Sequence, residues 1–218
     1  VSVIEQRVTF GTSGHRGNAS KTSFNEQHIL AICQAVAEHR TEQGLKGPLF
    51  LGKDTHALSE PAFSNALSVL VANNVPVVIQ ADDGFTPTPV ISRLIIAHNK
   101  LSENINNQAD GLIITPSHNP PTDGGIKYNP PHGGPAEGGI TQKIEQRAND
   151  LIAEKLIDVK QINYSQACKS SLLSKQDFIT FYVDQLEQVV DMKAIAKAGV
   201  KIGVDPLGGS GIHYWPVI

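Results

Sequence analysis

Residues 49–79 read LFLGKDTHALSEPAFSNALSVLVANNVPVVI, and this stretch decides the fold class. Leu49-Phe50-Leu51 is a short apolar run of the kind found in a buried strand. Ser59 is placed to cap a helix, and Pro61 is tolerated in a first turn, where its missing N–H costs nothing. Phe63, Leu67, Leu70 and Val71 then recur at helical spacing and mark one buried face. Residues 75–79 form a second apolar run of strand length. Strand, helix and strand in so short a span make a βαβ unit, whose two strands run parallel.

The pattern extends in both directions. Towards the N-terminus, residues 1–10 read as a strand ending at Gly11-Thr12-Ser13-Gly14. Ser23 and Glu26 have capping-box spacing, and Ile29, Ile32, Cys33 and Val36 trace a helix that Gly44 and Gly47-Pro48 stop. Towards the C-terminus, Thr86-Pro87-Thr88-Pro89 opens a third helix, and residues 111–114 are another buried strand. Helices are expected over residues 141–152, 176–190 and 191–198. Residues 200–204 read as a further strand, followed by the glycine turn at 208–211. The expectation is an α/β chain with a mixed, mostly parallel sheet flanked by helices. Residues 1–190 would be a first domain, and residues 191–218 the truncated start of a second. The chain opens on Val1, not Met, which suggests a missing upstream segment.

Bulk properties exclude several classes. Of 218 residues, 40% are hydrophobic and 18% charged, as in an ordinary globular chain. The formal net charge of −3 with no basic block argues against nucleic acid as a partner. No apolar run reaches the ~20 residues of a membrane helix, so no membrane partner is expected. Cys33 and Cys168 make neither a C-x-x-C nor a zinc pattern, which fits a reducing cytoplasmic setting.

Ligands of such sheets gather at the carboxyl ends of the strands, which directs attention to residues 11–17, 52–56 and 115–119. Ser117, in Thr115-Pro116-Ser117-His118-Asn119-Pro120-Pro121, sits on a proline-stiffened loop and is placed to attack or to carry a group. The bland reading is a surface turn. His118 is adjacent in sequence and therefore badly oriented as a base for Ser117, and no G-x-S-x-G elbow surrounds the serine. Lys127, on the strand that returns after Asp123-Gly124-Gly125, can point back at the loop and hold a phosphate or exchange a proton. Its alternative is a solvated strand lysine. Arg16 lies in a glycine-rich loop suited to an anion, or else is an exposed turn residue. Gly47 to Lys53 fits G-x-x-x-x-G-K, but Asp54 replaces the hydroxyl residue and the intervening residues read as a strand, so this is no nucleotide loop. The histidines show no metal-ligand spacing.

Taken together, Phe10–Gly17, Thr115–Pro120, Gly125-Ile126-Lys127-Tyr128-Asn129 and Gly203-Val204-Asp205-Pro206 resemble the α-D-phosphohexomutase superfamily, most closely its bacterial phosphoglucomutases. The resemblance runs over nearly the whole chain. It implies a first domain carrying a phosphoserine at Ser117, which exchanges its phosphoryl with a sugar phosphate. Glucose 1-phosphate and glucose 6-phosphate would interconvert through glucose 1,6-bisphosphate, which also serves as activator. It further implies Lys127 in proton transfer and phosphate contact, and Arg16 on the phosphoryl or sugar phosphate. Thr12, Ser13, His118 and Asn119 are further substrate-site candidates, and Lys53, with Asp54, can line the crevice at the end of the 49–51 strand. One Mg2+ would be held by a phosphoserine oxygen of Ser117 and by aspartates beyond residue 218, so the fragment alone is expected to be inactive. A mutase for mannose or glucosamine phosphates, or a non-catalytic phosphosugar-binding module, remains open at this point.

Overall fold

The computed structural model describes residues 6–11, 14–102 and 104–218. Its centre is a six-stranded sheet. In chain order the strands are β1 (His15–Asn18), β2 (Leu49–Lys53), β3 (Val77–Gln80), β4 (Asp110–Ile114), β5 (Asp123–Asn129) and β6 (Leu173–Gln176). Across the sheet the order is β1-β5-β4-β2-β3-β6. Pairs β4–β2, β2–β3 and β3–β6 are parallel, whereas β1–β5 and β5–β4 are antiparallel. The mixed, mostly parallel sheet read from the sequence is therefore the one observed.

Helices cover both faces, as parallel strands require. Leu49, Leu51, Val77, Ile79, Leu112, Ile114, Ile126 and Tyr128 point into one core with α1 (Glu26–Glu42), α2 (Ser59–Ala72) and α4 (Gly138–Ala153). Phe50 and Ile113, one residue out of phase, point to the other face against α3 (Thr88–Leu101) and Phe178 of α6 (Phe178–Asp184). Short helices α5 (Tyr164–Ala167) and α7 (Met192–Lys197) complete the set. No helix among the described residues is long and apolar enough to cross a membrane.

A buried polar tie lies at the amino end of β4. Arg40 pairs with Asp110, donates to the Gly47 carbonyl at 2.5 Å, and is 2% exposed. The other Asp110 oxygen accepts from the Tyr128 hydroxyl at 2.7 Å.

Several local expectations are corrected. Of the strand expected over residues 1–10, the first five fall outside the described residues. The remainder is not a strand, and only Phe10 bridges to His15. Asn149 instead brackets the Val8 backbone, accepting from its N–H at 3.0 Å and donating to its carbonyl at 2.9 Å. Helix α1 is capped by Asn25 in a reciprocal box with His28, while the Ser23 hydroxyl accepts from the Asn18 N–H at 2.8 Å and closes the turn after β1. Ser59 is the first residue of α2, and its hydroxyl is drawn away to Asp54. The helix expected over residues 176–190 is shorter because Gln176 ends β6, an edge strand whose polar Ser174 and Lys175 hid it from apolar periodicity. Residues 200–204 are not a strand: no neighbouring strand among the described residues offers them partners, and Val200 and Ile202 are exposed. The glycine stretch after them forms turns and opens no helix. The 49–53 segment is strand β2, in keeping with the rejection of a nucleotide loop.

Candidate active site

Sheet topology assembles the site. The carboxyl end of β4 and the amino end of β5 lie side by side, joined by the loop that carries Ser117. Asp54 extends the β2–β4 pairing by one step, its N–H donating to the Ile114 carbonyl at 3.0 Å. Antiparallel β1 brings Asn18 opposite Asp123 and Arg16 opposite Gly125. Three chain segments far apart in sequence thus meet at one sheet edge.

Register then decides which side chains share a face. Arg16 is opposite Gly125, and Lys127 is two residues along β5, so both cations project to the same side. Ile113 pairs with Lys127, which puts Thr115 on that side as well. Gly125 is the gap between them. A Cβ there would lie 2.4 Å from the Thr115 carbonyl oxygen, so only glycine lets the Ser117 loop lie down on β5. Gly14 has the same role beside Lys127, where a Cβ would meet the Ile126 carbonyl oxygen at 2.3 Å.

Ser117 is exposed and has φ of 71°, in the left-handed region. For a non-glycine residue this costs about 1–2 kcal/mol, so surrounding bonds must hold it. Its N–H donates to Thr115 Oγ1 at 2.9 Å, and the Thr115 N–H donates to the Gly125 carbonyl at 2.8 Å. On the far side, the Asn119 amide donates to Asp123 Oδ2 at 3.0 Å, while Asp123 Oδ1 accepts from Asn18 at 2.6 Å. These two amides hold the Asp123 carboxyl below its usual range. Lys127 is half-buried, and its ammonium is lowered by burial and by Arg16, against the pull of Asp54.

The remaining residues singled out in the sequence fall as follows. His118 is exposed. Thr12 and Ser13 lie outside the described residues. Lys53 pairs in register with Ile114, whose side chain points to the opposite face from Lys127. It is 4% exposed, pairs with Glu60, and its ammonium stands 4.8 Å above the Phe63 ring. The structure thus brings Arg16, Lys127, Asn119 and Ser117 to one edge and commits Lys53 elsewhere.

Sequence reading missed the residues that hold this edge. His56 donates through Nε2 to the Asn119 carbonyl at 2.9 Å and contacts Asp54 Oδ2 through Nδ1 at 2.9 Å. An Asp–His pair near a serine invites a hydrolase reading, yet the outer nitrogen here is spent on a backbone carbonyl, not on the serine hydroxyl. The strand-end rule had marked residues 52–56, but not which atoms would meet. For a magnesium ion, the residues present do not suffice. No group of three or more His, Cys, Asp or Glu side chains among the described residues is arranged to hold a metal, and octahedral Mg2+ needs more than one serine-borne oxygen.

Residues 7–155 match the family model described as phosphoglucomutase/phosphomannomutase, alpha/beta/alpha domain I. The chain is 55% identical over 218 residues to a phosphoglucomutase of Komagataeibacter xylinus, all of this chain and 39% of that protein. It is 30% identical over 203 residues to a phosphoglucomutase/phosphomannomutase of Thermococcus kodakarensis, 93% of this chain and 40% of that protein. Among solved structures, the exocytosis-sensitive phosphoprotein parafusin, a phosphoglucomutase from Paramecium in its open form, superposes with a TM-score of 0.77 at 20% identity. That match covers 99% of this chain and 41% of the other, and shows the shared fold. The chain spans about two fifths of the length of the curated relatives it matches. With that domain model running from residue 7 to residue 155, over five of the six strands and the site edge, the chain belongs to the phosphoglucomutase/phosphomannomutase family.

Proposed function

We propose that the protein to which this chain belongs is a phosphoglucomutase, with Ser117 as its phosphoryl carrier. The observation that carries the reading is the convergence of an exposed, conformationally held Ser117 with Arg16 and Lys127 on one face of the sheet edge. A phosphoserine bears roughly −1.5 to −2 charges at neutral pH, and two cations beside it answer that charge. The choice of glucose is supported by the 55% identity to a phosphoglucomutase.

In this reading the C6 hydroxyl oxygen of glucose 1-phosphate attacks the phosphorus of phosphoserine 117 and gives up its proton. The bond from phosphorus to Ser117 Oγ breaks, and the departing oxygen takes up a proton. Glucose 1,6-bisphosphate is formed. The reverse attack by Ser117 Oγ on the other phosphoryl group leaves glucose 6-phosphate. Lys127, with its ammonium pKa lowered, is suited to exchange the proton, and Arg16 to hold phosphoryl oxygens with its forked donors. Transfer of this kind depends chiefly on positioning and charge stabilisation. Magnesium, when bound, supplies further charge neutralisation. This chain would touch it only through the phosphoserine, with the other ligands coming from outside the described residues.

The test uses the full-length protein. Peptide mass spectrometry is expected to find phosphate on Ser117, and Ser117→Ala is expected to abolish interconversion in a coupled glucose 6-phosphate assay. Normal turnover by the alanine variant would refute the carrier role.

A further inference from the structure

The Ser117 loop is gripped at a second point that the proposed chemistry does not use. Asn119 is held through two different groups by two different elements. Its side chain donates to Asp123 on β5, and its carbonyl accepts from His56 on the connection between β2 and α2. His56 is in turn fixed from behind. Asp54 Oδ2 faces its Nδ1, while Asp54 Oδ1 accepts from the Ser59 hydroxyl at 2.6 Å and from the His56 N–H at 3.0 Å. Asp54 is itself buried and tied to β4. The result is a chain of bonds from the start of α2 to the backbone two residues past Ser117. Each side chain in it has a hydrogen-bond partner.

We propose that His56, held by Asp54, is a positioning residue that fixes the Asn119 carbonyl and through it the strained backbone of Ser117. Both ring nitrogens face acceptors, so the doubly protonated ring is the form that fits. Burial opposes that charge, but the Asn119 carbonyl, Asp54 and the nearby Asp123 carboxylate outweigh it and raise the imidazole above its ordinary value. Without the His56 donor the Asn119 carbonyl loses its fixed direction, and Ser117 loses one of the constraints that hold its positive φ.

The inference rests on the carrier reading of Ser117 for its catalytic consequence, not for its structural one, and two measurements on the full-length protein separate them. Hydrogen exchange of the peptide covering residues 115–123 is expected to speed up in His56→Ala and to recover towards wild type in His56→Gln, whose amide keeps a donor. Exchange in β2 and β4 should stay unchanged and so report intact folding. In the mutase assay, His56→Ala is expected to lower kcat roughly ten- to hundredfold with KM little changed, the signature of a misplaced reacting group. Unchanged loop exchange in both variants, or a kcat within twofold of wild type in a wild-type-active enzyme, would overturn the proposal. A wild-type protein without mutase turnover, with loop exchange still dependent on His56, would refute the carrier reading and leave the clamp standing.

Discussion

At the scale of the residue, charge and backbone direction at one sheet edge matter most. Arg16 is exposed and Lys127 half-buried, and neither is part of a hydrophobic core cluster. Substitutions at such positions usually shift stability by less than about 0.5 kcal/mol. Lys127→Ala is therefore expected to leave the thermal midpoint nearly unchanged. Its turnover should fall about 10²–10⁴-fold, the range for losing a group that moves a proton. Arg16→Ala should also lower turnover without unfolding the protein. A loss of activity that merely tracked loss of folded protein would return both residues to a structural role. Their identity was legible in the sequence, because both follow glycine-rich stretches, although Arg16, expected on a loop, lies within strand β1, where its backbone pairs with β5. Their shared face was not, because it depends on the β1–β5 register, which pairs residue 16 with residue 125. Lys53 shows the converse. It sits at a strand end with the right chemistry, yet its pairing with Ile114 turns it to the other side of the sheet.

At the scale of the element, close backbone contact and buried charge set the tolerances. The Ser117 loop reaches its place only because Gly125 carries no side chain. Gly125→Ala is expected to cost about 1–3 kcal/mol in chemical denaturation and to reduce activity further than the stability loss explains. Wild-type stability in that variant would mean the loop is free to lift. At the opposite end of β4, the Arg40–Asp110–Tyr128 tie fastens α1 to the sheet. Asp110→Ala leaves a buried guanidinium uncompensated and is expected to cost about 3–5 kcal/mol, measured by urea unfolding. Helices α1 to α4 were readable from periodicity. Helices α3 and α4 each bury one stripe, whereas α1 and α2 are buried over the consecutive residues 28–37 and 66–71, more of their surface than the spacing of their apolar residues marks. Strand β6 was not readable: its place comes from pairing with β3, and no apolar pattern marks it.

At the scale of the whole molecule, stability should depend on pH through two stacked histidines. His15 and His28 lie with ring centroids 5.1 Å apart, and both rings are buried. Burial, and then the charge of His28, lower His15 to about 4, while burial also lowers His28. Unfolded imidazoles take up protons near pH 6.5, whereas folded His15 does so only near pH 4. Proton uptake therefore favours the unfolded chain across that interval. Stability is expected to be full above about pH 6.5 and to decline as the pH falls towards about 4, with His15 accounting for about 3 kcal/mol. Urea midpoints measured across this range check the sign, and His28→Gln should flatten the slope. A midpoint independent of pH would show that the pair stays accessible to protons in the native state.

The layer architecture was legible in the residue pattern alone, because alternating apolar runs of strand and helix length can bury their faces in few ways. The residues that make up the candidate site were also legible, because a proline-stiffened serine loop and two glycine-flanked cations are local features. Tertiary contacts alone settle which cations share a face of the sheet, what holds Asn119, and where residues 200–204 go. Each of those outcomes depends on partners supplied by distant segments. Strand register, the meeting of His56 with a carbonyl 63 positions away, and the presence or absence of a neighbouring strand are properties of the assembled sheet.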